Sequence, residues 1–242
     1  MRTFWMIAPV VVGLGAVSVA SAAVMPPDLD GFKIEIQFVG GTWSSLNDPG
    51  SITDITPNPE KDGQYAIGGS KTNGSFDISW DLNVDIDPFI SSSFNVTNVT
   101  GVPQQFVITV TLPIIPQLPA TSALGSISGS LLDSNFSGAS SVSTNGVASL
   151  YEALIDGVNI QELYSDPYTL ATGNLTENLP TANFGPQAEI GANATIGIRN
   201  TFVLSPGDTF QAVSALFINA VPGPGALAVF GLAGVAATRR RR

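Results

Sequence analysis

The side chains best suited to chemistry in this sequence are oxygen donors. Asp81, Asn83, Asp85 and Asp87 recur at every second position, and alternate residues of an extended strand lie about 6.6–6.8 Å apart on one face. Carboxylate and amide oxygens of this kind suit Ca2+ rather than zinc or copper. The spacing begins like an EF-hand loop, but Ser92 stands where the loop's bidentate glutamate belongs. A straight strand also holds the four side chains parallel and does not converge them. The expectation is a solvated strand face that discourages edge pairing, with no cofactor; Ca2+ at these four residues is the alternative.

Other chemistries fall away on residue type. The chain has no His and no Cys. That removes Ser-His-Asp and Cys-His catalysis, His-ligated metals, disulfides and iron–sulfur sites. No Ser-x-x-Lys motif supplies a serine nucleophile with a lysine base. Nineteen acidic residues offer many carboxylate pairs, but glycoside hydrolysis needs two at about 5–5.5 Å or 6.5–9.5 Å, and spacing along the chain marks none. Among the aromatics, Trp43 follows Gly40-Gly41 and is the candidate for stacking on a sugar ring. Trp80 falls on the apolar side of its run and is expected in the core. A net charge of −10 argues against nucleic acid as a partner.

The elements that position these residues read as strands. Phe32, Ile34, Ile36 and Phe38 alternate with polar residues, as do Phe76, Ile78, Trp80, Leu82, Val84 and Ile86. Phe106, Ile108, Val110 and Leu112 form a third run; Ala194, Ile196, Ile198, Asn200, Phe202 and Leu204 form a fourth. Period two of this length means strands with one buried and one wet face, as in antiparallel sheets. Shorter candidates cover 93–99, 125–132, 147–155 and 209–219. Turn chemistry separates the runs at Asn47-Asp48-Pro49-Gly50, Lys61-Asp62-Gly63, Thr72-Asn73-Gly74 and Ser205-Pro206-Gly207-Asp208. Residues 147–163 come nearest to a helical stripe, but Gly157 interrupts it. The expected fold is all-β, an antiparallel, jelly-roll-like β-sandwich over residues 23–220, forming one extracytoplasmic domain.

Both flanks differ from this middle. Residues 1–22 carry Arg2, an apolar run over 4–19 and Ala20-Ser21-Ala22, the order of a signal peptide cleaved after a small-x-small site at Ala20 and Ala22. Residues 221–242 read VPGPGALAVFGLAGVAATRRRR. The apolar run from Ala226 to Ala237 is short against the ~20 residues that span a bilayer. Snorkelling of Arg239, Arg240, Arg241 and Arg242 extends it, and these arginines should stay cytoplasmic. Only Lys33, Lys61, Lys71 and Arg199 of the basic residues lie between the flanks, together with every acid. The middle is therefore more acidic than the chain as a whole.

Segment 221–242 resembles the PEP-CTERM sorting signal of Gram-negative and related bacteria, with a Pro motif, hydrophobic helix and Arg cluster in that order. Val221, Pro222 and Pro224 match the motif, and Gly223 stands where Glu is usual. That departure points to a different processing enzyme rather than a different class of signal. Stretches 75–101, 105–113 and 196–208 also resemble ectodomains of PEP-CTERM surface proteins. The resemblance implies recognition by an exosortase-type membrane transpeptidase and cleavage near Val221, Pro222, Gly223 and Pro224. The protein would be transiently anchored by one C-terminal transmembrane helix, then delivered to the cell surface or exopolysaccharide matrix. The expected role is structural or adhesive, not enzymatic. The alternatives are a carbohydrate-binding module and, behind it, a polysaccharide-active enzyme.

Overall fold

The four alternating runs become strands because each offers one apolar face to bury. In a computed structural model they sit in a two-sheet sandwich. The structure describes residues 24–221 apart from 138, 139, 145, 147, 174 and 190. The signal-peptide positions Ala20 and Ala22, the motif residues Pro222, Gly223 and Pro224, and Arg239, Arg240, Arg241 and Arg242 lie outside the described residues.

The strands are β1 (Lys33–Phe38), β2 (Gly41–Ser44), β3 (Ile52–Pro57), β4 (Gln64–Thr72), β5 (Phe76–Asp85), β6 (Phe89–Asn98), β7 (Gln104–Pro113) and β8 (Thr121–Leu132). After them come β9 (Ser140–Ser143), β10 (Tyr151–Ile155), β11 (Val158–Leu163), β12 (Thr169–Thr172), β13 (Thr176–Glu189), β14 (Thr195–Leu204) and β15 (Thr209–Ala220). The first sheet runs β11-β10-β14-β7-β1-β2, with β9 on the end of β14 and β12 on β9. The second runs β13-β8-β15-β6-β5-β4-β3. All pairings are antiparallel.

The core lies between the sheets. On β5, Phe76, Ile78, Trp80, Leu82 and Val84 are buried, while Asp77, Ser79, Asp81 and Asn83 face solvent. Across the gap, β7 and β14 contribute Phe106, Ile108, Val110, Ile196, Ile198 and Phe202. Phe94 and Phe202 lie parallel with centroids 6.1 Å apart, and Phe210 meets Phe202 edge-on at 5.1 Å. Tyr151 crosses the gap, its hydroxyl donating to the Ala215 carbonyl at 2.8 Å. Asn200, on the apolar face of its run, is buried; its amide donates to Leu150 O at 3.1 Å and Ser214 Oγ at 3.2 Å.

Where expectation and structure differ, local causes are visible. The described residues 148–163 form no helix; 151–163 give the β10–β11 hairpin. Asp156 and Gly157 supply successive positive φ angles of 50° and 77°, as a two-residue hairpin turn of the primed kind requires. Strand β13 carries Pro180 and Pro186, which weaken a strand reading. It lies at a sheet edge, and its pairing with β8 shifts register between Leu179 and Ala182 and again between Phe184 and Gln187. Each proline falls within one of those shifts, where the ladder needs no donor from it.

The hairpin is tied down by charge. The Asp156 carboxylate accepts N–H groups from Asn193 (2.9 Å), Ala194 (2.8 Å) and Thr195 (2.9 Å), and the Asn193 amide at 3.1 Å. Burial works to raise its pKa, but these hydrogen bonds outweigh burial and hold it below the usual carboxylate value. A depressed acid stabilises the fold above its unfolded pKa, about 3.9. That contribution is lost as pH falls through the lower folded value. Asp156→Asn should therefore cost about 1–2 kcal/mol at pH 7 and much less at pH 2–3. Urea midpoints at the two pH values check this, and a cost independent of pH would contradict it.

Candidate functional site

The acidic ladder of β5 splits in two. Asp81 is exposed between Gly68 and Ser93, and Asn83 between Ala66 and Ser91. These two form the expected wet face, among small neighbours. Asp85 shares their face but not their exposure. As the last residue of β5 it is only 1% exposed. Its Oδ1 accepts the Asp87 N–H at 3.0 Å, and its carboxylate pairs with the Lys61 ammonium. Asp87 has left the strand and sits exposed in the turn to β6. Asp81, Asn83 and Asp85 thus share one face, as expected, since Asp85 stands opposite Phe89 in the same register. What differs is that Lys61 and the turn after β5 cover Asp85, and that Asp87 lies beyond the strand. Among the described residues no group of three Asp, Glu, His or Cys is placed to hold a metal ion.

The Asp85 end of the ladder opens into a groove of 410 Å3 lined by Lys61, Gln64, Asp85, Asp87, Phe89 and Phe217, among others. Phe89 and Phe217 face each other across β6 and β15. Their rings stack at 4.1 Å with an interplanar angle of 29°. Phe217 is 41% exposed. The hydrogen bond from Lys61 to Asp85 and the negative charges of Asp85 and Asp87 hold the Lys61 ammonium above its ordinary pKa. An aromatic face beside charged and amide groups suits a polyhydroxylated ring, which presents C–H faces and hydroxyl edges. Strand β15 ends beside this groove. The Val221 N–H donates to Ala120 O at 3.0 Å, and the Val221 side chain lies exposed.

Trp43 lies elsewhere and does not stand free. It sits on β2 opposite Ile36, half-buried, its ring centroid 5.5 Å from that of Trp80. Its indole N–H donates to Asp48 Oδ2 at 3.2 Å, and Lys71 Nζ reaches the same oxygen at 2.6 Å. The hydrogen bonds from Lys71 and then Trp43 hold Asp48 below the usual carboxylate range, against a small opposing effect of burial. Trp80 is in the core, as expected. Gly69 makes room for it, since a Cβ there would overlap the Ser51 carbonyl and the Trp80 indole. Trp43 therefore closes the β2 edge of the sandwich and offers a ligand only what remains of its exposed surface.

Sequence reasoning named Asp85 and Asp87 but missed Lys61, Phe89 and Phe217. A signal for Phe217 was present. In the run 209–219 it shares the outer face with Gln211, Val213 and Asn219, and a large aromatic on a polar face asks for an explanation. No family model matches the chain, and no curated protein matches it.

The Lys61–Asp85 pair is the chemical hinge of the groove. Removing the cation strands a buried carboxylate. Lys61→Met should therefore lower the thermal midpoint at pH 7, and adding Asp85→Asn should recover most of the loss. An unchanged midpoint in Lys61→Met would show that the pair does not hold this end of β5.

Proposed function

We propose that this chain is an exported surface or exopolysaccharide-matrix protein with a structural or adhesive role and no catalysis of its own, sorted by an exosortase-type membrane transpeptidase. The observation that carries the reading is the order within 221–242: Val221-Pro222-Gly223-Pro224, an apolar run, then four arginines. Residues 1–22 act as the signal helix that sends residues 23–220 outward. The apolar run forms a transmembrane sorting helix, and the arginines keep its far end inside.

The fold is compatible with such handling. The last strand ends at Ala220, and Val221 is exposed at the rim. A cut near Val221–Pro224 would leave every described strand intact. The chain passes from one sheet to the other between β2 and β3, at each step from β6 through β7 and β8 to β9, and at each step from β12 through β13 and β14 to β15. That path supports a jelly-roll-like wrapping of a single domain. The acidic middle speaks against nucleic acid as a partner.

One observation favours a second reading, a carbohydrate-binding module. The stacked Phe89–Phe217 pair shares a groove with Gln64, Asp87 and Lys61, a combination that would contact cell-surface polysaccharide.

Intact-mass measurement of the surface-released protein tests the sorting reading. The expected mass is that of a chain beginning after Ala22 and ending near Pro224, without Arg239, Arg240, Arg241 and Arg242. A product that keeps these arginines would overturn processing.

A further inference from the structure

The opposite end of the second sheet holds two carboxylates that the proposed function does not use. In the β8–β15 ladder Leu132 stands opposite Thr209. One step further along the antiparallel register sets Asp133 against Asp208. Leu131 and Phe210 face the core. Asp133 is two residues beyond the first and Asp208 two before the second, so both inherit the inward direction. Their exposures, 4% and 0%, agree. Like charges directly opposite each other destabilise a ladder, and here neither is in bulk water.

Around Asp208 the described residues supply hydroxyl and backbone groups rather than a paired cation. Asp208 Oδ2 accepts from the Ser205 hydroxyl, but Asp208 Oδ1 is buried with no hydrogen-bond partner. No salt bridge among the described residues reaches Asp208. The other buried carboxylates Asp85 and Glu152 pair with Lys61 and Arg199. The Ser141 N–H donates to Ser205 Oγ at 2.7 Å, which brings β9 to the same place. The neighbouring Ser140 is buried, and its Oγ also lacks a partner. Burial, and then the negative charge of Asp133, push the Asp208 carboxyl above the usual range, against opposing hydrogen bonds from the Ser205 hydroxyl and the Ser134 N–H.

Two loops are already fastened around this point. The Asn135 amide donates to Pro206 O at 2.5 Å, and Ser134 Oγ donates to Thr209 Oγ1 at 2.8 Å. The loop after β8 and the turn before β15 are thereby held together over the buried Asp208 carboxylate. Asp133 Oδ1 accepts the Ser137 N–H at 3.0 Å, which orients its carboxylate.

We propose that Asp133 and Asp208 are the carboxylate ligands of a Ca2+ site that joins the β8–β9 loop to the β14–β15 turn, with Ser140 Oγ as a further oxygen. Two carboxylates would neutralise a divalent ion. Irregular loop oxygens suit Ca2+, which accepts flexible coordination, better than Mg2+, which demands a near-ideal octahedron. The site is separate from Asp81 and Asn83, which stay on the wet outer face, and it does not depend on the sorting reading.

The test is thermal denaturation of the full chain at pH 7 after chelation, with CaCl2 or MgCl2 titrated to several millimolar. Extracellular modules bind Ca2+ at about 0.1–1 mM, so a tenfold excess over Kd should raise the midpoint by about 3–6 °C. Mg2+ should do much less. Asp208→Asn should abolish the Ca2+ shift and, without Ca2+, melt no lower than the parent, because it removes a buried charge facing Asp133. Asp133→Asn is the second variant should the first not fold, and Asp81→Asn should keep the full shift. A parent without a saturable Ca2+ shift, or an equal shift in Asp208→Asn, overturns the site. A midpoint indifferent to Ca2+ that rises from pH 7 to pH 5 in the parent but not in Asp208→Asn also overturns it, and assigns the pair a shared proton.

Discussion

The closing of two inner faces on each other is the contact on which the rest of this protein depends. There is no Cys, so no disulfide cross-links the sheets. What joins them is apolar burial, with rings from both sides: Phe76, Phe94 and Phe210 from the second sheet, Phe106 and Phe202 from the first. Truncating one such ring to alanine typically costs about 3–5 kcal/mol, a large part of the roughly 5–15 kcal/mol by which domains are stable. Surface pairs such as Lys33–Glu35 contribute far less. The strict alternation along β5, and the looser one along β7 and β14, is the trace of this requirement in the sequence.

The buried amides Asn200 and Asn98 enter the interior where other segments supply their partners. Asn200 is buried in mid-strand because Leu150 O and Ser214 Oγ meet it. Asn98, at the end of β6, donates to the carbonyls of Val102, Leu204 and Ser205 and so ties the β6–β7 and β14–β15 connections together. Asp85 and Asp208 mark opposite ends of the second sheet. The first has a lysine, and the second has an oxygen without a partner. The strands make the body of the sandwich, and these two buried carboxylates sit at its two rims.

The long strands were legible because one residue in two is apolar over four or more repeats. Strand β4 was not, because Gly68-Gly69 leaves two positions without a side chain to carry the pattern. Gly69 is there for the Trp80 ring, which only the packed structure shows. Strand β13 hid behind its prolines, whose tolerance depends on an edge position that sequence does not give. At the candidate site, Asp81 and Asn83 were read correctly as a wet face. The fate of Asp85 turned on where β5 ends, and strand ends are set by turn geometry. Trp43 looked free after two glycines, yet its partners Asp48 and Trp80 come from other segments. The Asp133–Asp208 juxtaposition rests on register between segments 75 positions apart in sequence, and periodicity carries no such information.

These features describe a two-sheet body, and surface display is the role proposed for it. Its inner faces hold it together, its outer faces are largely polar apart from the Phe89–Phe217 stack, and its last strand delivers Val221 to an exposed rim. In the proposed function the residues that decide its destination lie in segment 221–242 and not in the sandwich. The most direct measurement is fractionation of the native host expressing either the full chain or a chain ending at Ala220. Display by the tail predicts the full chain in the surface or matrix fraction and the shortened chain in the culture medium. The same distribution for both would contradict it.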